Sequence, residues 1–429
     1  MIEKLAFDQI NNFIESNNFL SAKQFGFRKG KSIDSLLLYL TSCWRQHLDL
    51  KPNPLIGIVS LDIRKAFDNI NHDLLSLKLK TLFNLSPSAI TWIMDYVSNR
   101  TVVTKIENIS SSPAIINRGI PQGGVLSPLL FNLFINDLVS FSPTENIILY
   151  ADDCLLYFIG DSIYDLQTKI HENVNRILTW YSKNDLNVNT SKTKILILDT
   201  CNNAKTLTPF KIDDDIILSS SSLKYLGCIF DQNLKFTTHT KSLCFKASKS
   251  VNLLKCLHQY IKPQSKLFYS SYIRPLLEST PSLLYTISKS DSESLEKIQN
   301  RALKIISGVK FNKQEVTNLS KIRESLNLPL LSSRRHYFFM IQIFRSINVY
   351  NDPLHSLLPP YKTQTPFTLR NTDLTTPKFK IPRVNKNLYG MKCFDYLASN
   401  MWNSIPEELK LCKNVNEFKT RAKIYFVEF

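Results

Sequence analysis

The chain has 429 residues, 43% of them hydrophobic, and carries 53 lysines and arginines against 36 aspartates and glutamates, a formal charge of +17. That content suits two or three domains with cores of their own and excludes a disordered tail, while the charge predicts a partner of opposite sign, nucleic acid or an anionic membrane surface. No apolar run reaches the roughly 18 residues that cross a bilayer, and Glu3, Lys4, Asp8 and Glu15 deny the N-terminus the form of a signal peptide. A nuclear or cytoplasmic chain, neither secreted nor membrane-bound, is therefore expected.

From Met1 to about Asn53 the pattern reads helix, loop, helix, with Leu36, Leu37, Leu38 and Leu40 opening an apolar face before Lys51-Pro52-Asn53-Pro54 breaks it. Between the helices, Gly26 and Gly30 flank Arg28, Lys29 and Lys31, a loop able to close over phosphates or to stand as a solvated basic turn. Gly57 to Asp62 reads as a buried strand that stops at Asp62 and passes into a helical segment holding Phe67. In the segment from Arg118 to Pro128, glycines at 119, 123 and 124 permit close backbone approach, and Ser127-Pro128 reads as an N-cap and a first helical residue.

Ile147 to Phe158 reads as a hairpin with Asp152 and Asp153 at its turn. A helix from His171 to Lys183 and a strand from Ile195 to Leu198 bracket Lys192 and Lys194, and Tyr225 to Asp231 reads as a second hairpin. Beyond Phe236 basic helices begin; Leu295, Ile298, Ala302, Ile305 and Ile306 share one helical face, while Lys297, Arg301, Lys304 and Lys310 lie largely elsewhere. Residues 361 to 382, rich in Thr and Pro, read as a linker or flexible loop. The eight cysteines stand singly, without a Cys-x-x-Cys pair, so free thiols are expected rather than a zinc site.

Two adjacent acids between apolar strands are costly unless they meet a cation. A solvated Asp-Asp turn would be the bland reading, but Asp62 sits in a similar setting. Mg²⁺ prefers a few such oxygens plus substrate phosphates, and two ions about 3.5–4 Å apart are the usual device for in-line phosphoryl transfer.

Asp62 to Asp68, Arg118 to Pro128 and Tyr150 to Asp153 resemble, in order and wording, consecutive motifs of reverse transcriptases, and the non-LTR (LINE-like, Jockey-type) retrotransposons in particular. Gln24 to Ser32, Leu186 to Thr193 and Tyr225 to Gly227 agree with it; the likeness is dense to about Leu234 and looser beyond. It implies an α+β right-hand polymerase: an antiparallel palm sheet backed by helices with partial fingers over 1–235, a helical thumb over 236–320 and a helical C-terminal extension over 321–429. It further implies a copy truncated at its N-terminus, since finger strands and often an endonuclease precede the position of Glu3 in such proteins.

By that resemblance the chain is an RNA-directed DNA polymerase adding deoxynucleotides to a primer 3′-hydroxyl, with an RNA template and a DNA primer as partners. Asp62, Asp152 and Asp153 would hold two Mg²⁺ ions, with Mn²⁺ as an alternative, and Lys192 would face the leaving pyrophosphate, Lys194 competing for that role. Arg28, Phe67, Gln122, Gly123 and Tyr150 would bind the nucleotide, with Phe67 excluding a 2′-hydroxyl. Two rivals stay open: a catalytically inactive or host-adopted nucleic-acid-binding remnant, and another templated polymerase such as a maturase or an RNA-dependent RNA polymerase. Ala151 and Phe67 speak against the latter.

Overall fold

A computed structural model describes residues 1–52, 54–142, 146–200, 209–212, 214–308, 317–349, 351–362 and 377–427. By packing, the chain divides into two units: Met1–Lys31 with Pro54–Ser221, and Ser32–Asn53 with Ser222–Phe429. This division is not the motif-based one, because residues 32–53 group with the C-terminal half of the chain. Among the described residues, no helix is long and apolar enough to cross a membrane.

The first unit is organised by a five-stranded sheet. Its strands are β1 (Leu55–Leu61), β2 (Ile147–Tyr150), β3 (Asp153–Gly160), β4 (Lys194–Leu198) and β5 (Ser219–Ser220), in the spatial order β5-β4-β1-β3-β2. All pairings are antiparallel except β5 with β4. The central β1 buries every residue but Ser60, which is why it reads as a continuous apolar run rather than an alternating one. The amphipathic Ile163–Lys183 helix packs on this sheet through Leu166 and Ile170, and Gly57 lets it come close: a Cβ there would stand 2.8 Å from Ile170 Cδ1. The helices Ile2–Ser16, His72–Thr81, Pro87–Val97 and Ser127–Ile135 contribute Ile14, Leu75, Leu79, Ile93 and Phe131 to the same core.

The second unit is mainly helical. Its Ile33–Asp49 helix, capped by Ser32 in a reciprocal capping box with Ser35, buries Leu36, Leu37, Leu38, Leu40, Trp44 and Arg45, as a helix apolar nearly all round must. The Arg45 guanidinium is completely buried, and it donates to the carbonyls of Leu234 (3.2 Å) and Lys392 (3.0 Å) and to Thr286 Oγ1 (3.0 Å). Asp49 at the other end accepts from the backbone N–H groups of Asn385 (2.9 Å) and Lys386 (2.7 Å).

The expected second hairpin is present as Ser222–Tyr225 paired with Cys228–Asp231, turning on Leu226 and Gly227 at φ 47 and 81. The Lys289–Ser307 helix buries Leu295, Ile298 and Ala302, half-buries Ile305 and Ile306 and exposes Lys297, Arg301 and Lys304; Lys310 lies outside the described residues. The described ends of 361–382 are not a free linker: Tyr361 bridges Phe379, which is buried, while 363–376 lie outside the described residues. The seven described cysteines are free thiols, and Cys201 lies outside the described residues.

Candidate nucleotidyl-transfer site

Strand register brings the acids together. β2 pairs with β3 so that Tyr150 faces Asp153, leaving Ala151 and Asp152 as the turn. β1 pairs with β3 so that its last residue, Leu61, faces Cys154; the same register carried one step further sets Asp62 across from Asp153. Asp62 and Asp152 line one open cleft of about 510 Å³ with Phe27, Lys65, Phe67, Gln122, Gly123 and Lys192.

The turn is held in a conformation it would not choose alone. Ala151 has φ 54, a left-handed backbone that disfavours any residue with a Cβ. Its N–H donates to the side-chain oxygen of fully buried Gln24 (3.0 Å), which also accepts from Gly26 N–H (2.8 Å). Around this contact the 23–25 segment binds β2 through Leu149 N–H to Lys23 O (2.9 Å) and Phe25 N–H to Leu149 O (2.8 Å). Only glycine fits at 26, because a Cβ there would collide with Ala151 N. Sequence reasoning includes Gln24 only as the start of the Gln24–Ser32 stretch and gives it no role, because its partner lies 127 positions away.

A second clamp positions Lys192. Asn189 N–H donates to Asp62 O (2.7 Å) and Arg64 N–H to Asn187 O (2.8 Å), with Ile63 bridging Val188. The loop so fixed turns back at Asn189, and Lys192 Nζ stands 3.4 Å from Asp62 Oδ2. Lys194, the rival, begins β4, where it pairs with Ser60 of β1, and does not line the cleft.

The electrostatics are those of an anionic site short of cations. Asp62 Oδ2 is buried and, among the described residues, accepts no hydrogen bond; Lys192 meets it by charge alone. Burial first, then the carboxylates of Asp152 and Asp62, push the Asp153 carboxyl up to about 6 against the pull of Lys192. Burial and Asp62 likewise raise Asp152. Among the described residues no group of three His, Cys, Asp or Glu side chains is arranged to hold a metal ion. The carboxylate donors nevertheless suit a hard divalent cation, which takes its other ligands from water and substrate phosphates.

The remaining predicted residues divide. Phe67 stacks on Phe131 (4.9 Å, 19°), is half-buried and lines the cleft. Gln122 lines the cleft and donates from Nε2 to Asp68 Oδ1 (2.9 Å). Gly123 takes φ 86, with nothing within 4 Å of where a Cβ would stand. Tyr150 is half-buried and outside the cleft lining, its phenol raised by burial.

Arg28 is also outside it. Its guanidinium grips Glu15 through both carboxylate oxygens (2.9 and 2.6 Å) and donates to Ser21 O (2.7 Å), so here it ties the basic loop to the first helix. The expected Ser127 cap is corrected too. Ser127 is already helical and its hydroxyl donates to Pro121 O (2.6 Å); Leu126 N–H at the helix start is bound instead by Glu3 (2.9 Å), which also accepts from Tyr96 Oη.

Residues 1–230 match the reverse transcriptase (RNA-dependent DNA polymerase) family. The chain belongs to that family. The sheet of this reverse transcriptase, with its backing helices, is the palm of an α+β right-hand polymerase. It is 26% identical over 83% of its length to the "Probable RNA-directed DNA polymerase from transposon BS" of Drosophila melanogaster. It is 24% identical over 78% of its length to the RNA-directed DNA polymerase from mobile element jockey of the same organism. It spans 39% and 37% of those relatives. Among solved structures, the telomerase of Candida tropicalis in complex with a TWJ fragment of telomeric RNA aligns over 75% of this reverse transcriptase and 53% of its own chain, at 14% identity and a TM-score of 0.39.

Proposed function

We propose that the chain is the RNA-directed DNA polymerase portion of a non-LTR, Jockey-type retrotransposon, working in the nucleus, the cytoplasm or both. Residues 1–235 serve as fingers and palm, 236–320 as thumb and 321–429 as a C-terminal extension. The observation that carries the reading is Asp62 Oδ2, a buried carboxylate oxygen without a hydrogen bond, on a cleft shared with Asp152 and Lys192. A buried carboxylate oxygen without a hydrogen bond is expensive, and Lys192, itself exposed and 3.4 Å away, offsets it only in part, so the oxygen remains suited to a cation.

Asp62 and Asp152 would hold Mg²⁺, or Mn²⁺ in its place, with Asp153 supporting them; the bound ions supply charge neutralisation at the phosphates. Gln122, Gly123 and Phe67 then form the walls that orient a deoxynucleoside triphosphate, and Phe67 occupies the room a 2′-hydroxyl would need. The primer 3′-oxygen bonds to the α-phosphorus as the bond to pyrophosphate breaks, and Lys192 places positive charge where negative charge develops. Arg28 would reach a triphosphate only by leaving Glu15.

The second reading is a nucleic-acid-binding remnant without activity; among the described residues no three-acid group already stands at metal-holding spacing. Primer extension on an RNA template with Mg²⁺, beside an Asp152→Ala control, separates the readings. DNA product abolished in the control supports polymerase function; binding without product supports the remnant, and RNA product another polymerase.

A further inference from the structure

We propose that the second unit carries a binding site for single-stranded nucleic acid at Tyr361, where one unpaired base stacks on the tyrosine ring and the flanking phosphates meet Lys362, Lys380 and Arg383. The site shares no residue with the carboxylate cleft and does not depend on the polymerase reading.

Tyr361 is a prepared surface. Two short extended segments are tied by Lys362 N–H to Lys378 O and Lys380 N–H to Pro360 O, both 2.8 Å. They bring the Tyr361 ring flat onto Phe379, at 4.7 Å and 9°. Phe379 is itself immobile: it is 1% exposed, in one core cluster with Phe344 and Trp402, and Asn403 exchanges hydrogen bonds with its backbone N–H and C=O, both 2.9 Å. One face of the tyrosine is thus fixed while the residue remains 44% exposed. A ring anchored on one side and wet on the other is what a base needs in order to stack without ordering cost, and such stacking tolerates any base.

The rim supplies the charge. Pro360, Tyr361, Lys362 and Lys380 line a cleft of about 390 Å³. An adjoining cleft of about 580 Å³ shares Pro360 and Lys380 and adds Arg383. Lys378 lies close enough to Lys410 to help burial lower that ammonium. Among the described residues no carboxylate forms an ion pair with Lys362, Lys378, Lys380 or Arg383. The acid lining the adjoining cleft, Asp395, is engaged by Gln46 Nε2 (3.1 Å) and Tyr396 N–H (2.8 Å). Cations that form no ion pair among the described residues, set around a stacking surface, match a phosphate chain bearing bases. A lipid headgroup surface would use the cations but has no use for a ring laid flat against Phe379.

Because other basic surfaces of a +17 chain would hold nucleic acid as well, the test must locate the contact. The full chain is irradiated with an oligonucleotide of about 12 nucleotides carrying 5-iodouracil, as RNA and as DNA, and the crosslinked peptide is mapped. A crosslink at Tyr361 with either sugar supports the site and shows which strand it takes. Tyr361→Ala should lower affinity about tenfold, the loss of one stacked base, and Tyr361→Trp should restore it. Lys362→Gln with Lys380→Gln should flatten the salt dependence. Crosslinks confined to other peptides, or affinity unchanged in Tyr361→Ala, would overturn the proposal. So would Tyr361-dependent binding to phosphatidylserine vesicles without an RNA or DNA crosslink there.

Discussion

The Gln24 side-chain oxygen holds the Ala151 backbone N–H at 3.0 Å, and through it the turn that presents Asp152. Gly26 N–H shares that oxygen at 2.8 Å, so one buried acceptor serves two donors. Gln24→Met keeps the volume and leaves both donors buried without a partner, at about 1–3 kcal/mol each. The melting temperature of the sheet-bearing unit should fall and kcat for primer extension should drop more than KM rises. Wild-type kcat in a folded Gln24→Met chain would refute this role.

Phe67 is stacked on Phe131 at 4.9 Å, which leaves its ring little room to withdraw for a larger sugar. Phe67→Val should shift the ratio of kcat/KM for deoxy- over ribonucleotides by about 10–200-fold, the range open to a purely steric pocket. Single-nucleotide incorporation kinetics read the ratio directly, and an unchanged value removes Phe67 from sugar selection.

Asp153 is half-buried beside two other carboxylates, and burial first, then Asp152 and Asp62, raise its carboxyl. In EDTA, Asp153→Asn should therefore raise the melting temperature, by about 2–4 °C if it relieves 1 kcal/mol. Mg²⁺ at ten times its dissociation constant should add about 1.4 kcal/mol to the wild type, and little to Asp62→Ala. Equal Mg²⁺ responses in both would place the ion elsewhere.

His239 provides a pH dependence remote from these acids. Its ring is 1% exposed, and burial first, then Lys246, lowers it to about 4. A folded-state value below the unfolded one means the unfolded chain binds the extra proton first. Stability is thus full above about pH 6.5 and falls with acidification, by about 2 kcal/mol at pH 5. His239→Gln should flatten the profile of urea midpoint against pH over that window; an unaltered slope would assign the acid sensitivity to other groups.

Sequence alone exposed the parts of the site that rest on local pattern. Asp62 and Asp152 were legible because each ends an apolar run, and Gly123 because glycines at 119, 123 and 124 permit close backbone approach; its left-handed backbone is seen only in the structure. What stayed hidden rests on partners distant along the chain. Ser127-Pro128 reads as a cap, but Glu3, 123 positions earlier, binds the helix start. Arg28 reads as a phosphate ligand, yet Glu15 was available one helix back to satisfy it. The Ile33–Asp49 helix carried a usable signal, apolar residues on nearly every face, which marks a helix surrounded by protein; nothing in that pattern tells which later segments surround it.

That helix sets a timetable for synthesis. It leaves the ribosome early, but the residues that hold it include Leu234, Thr286, Asn385, Lys386 and Lys392, and Phe394, whose N–H binds Ser42 Oγ, arrives later still. At translation speeds of about 5–20 residues per second its greasy flanks wait tens of seconds for cover. A release of nascent chain before residue 394 should accordingly leave material that aggregates or recruits holding chaperones, even though every residue of the Asp62–Asp152 cleft has by then been made.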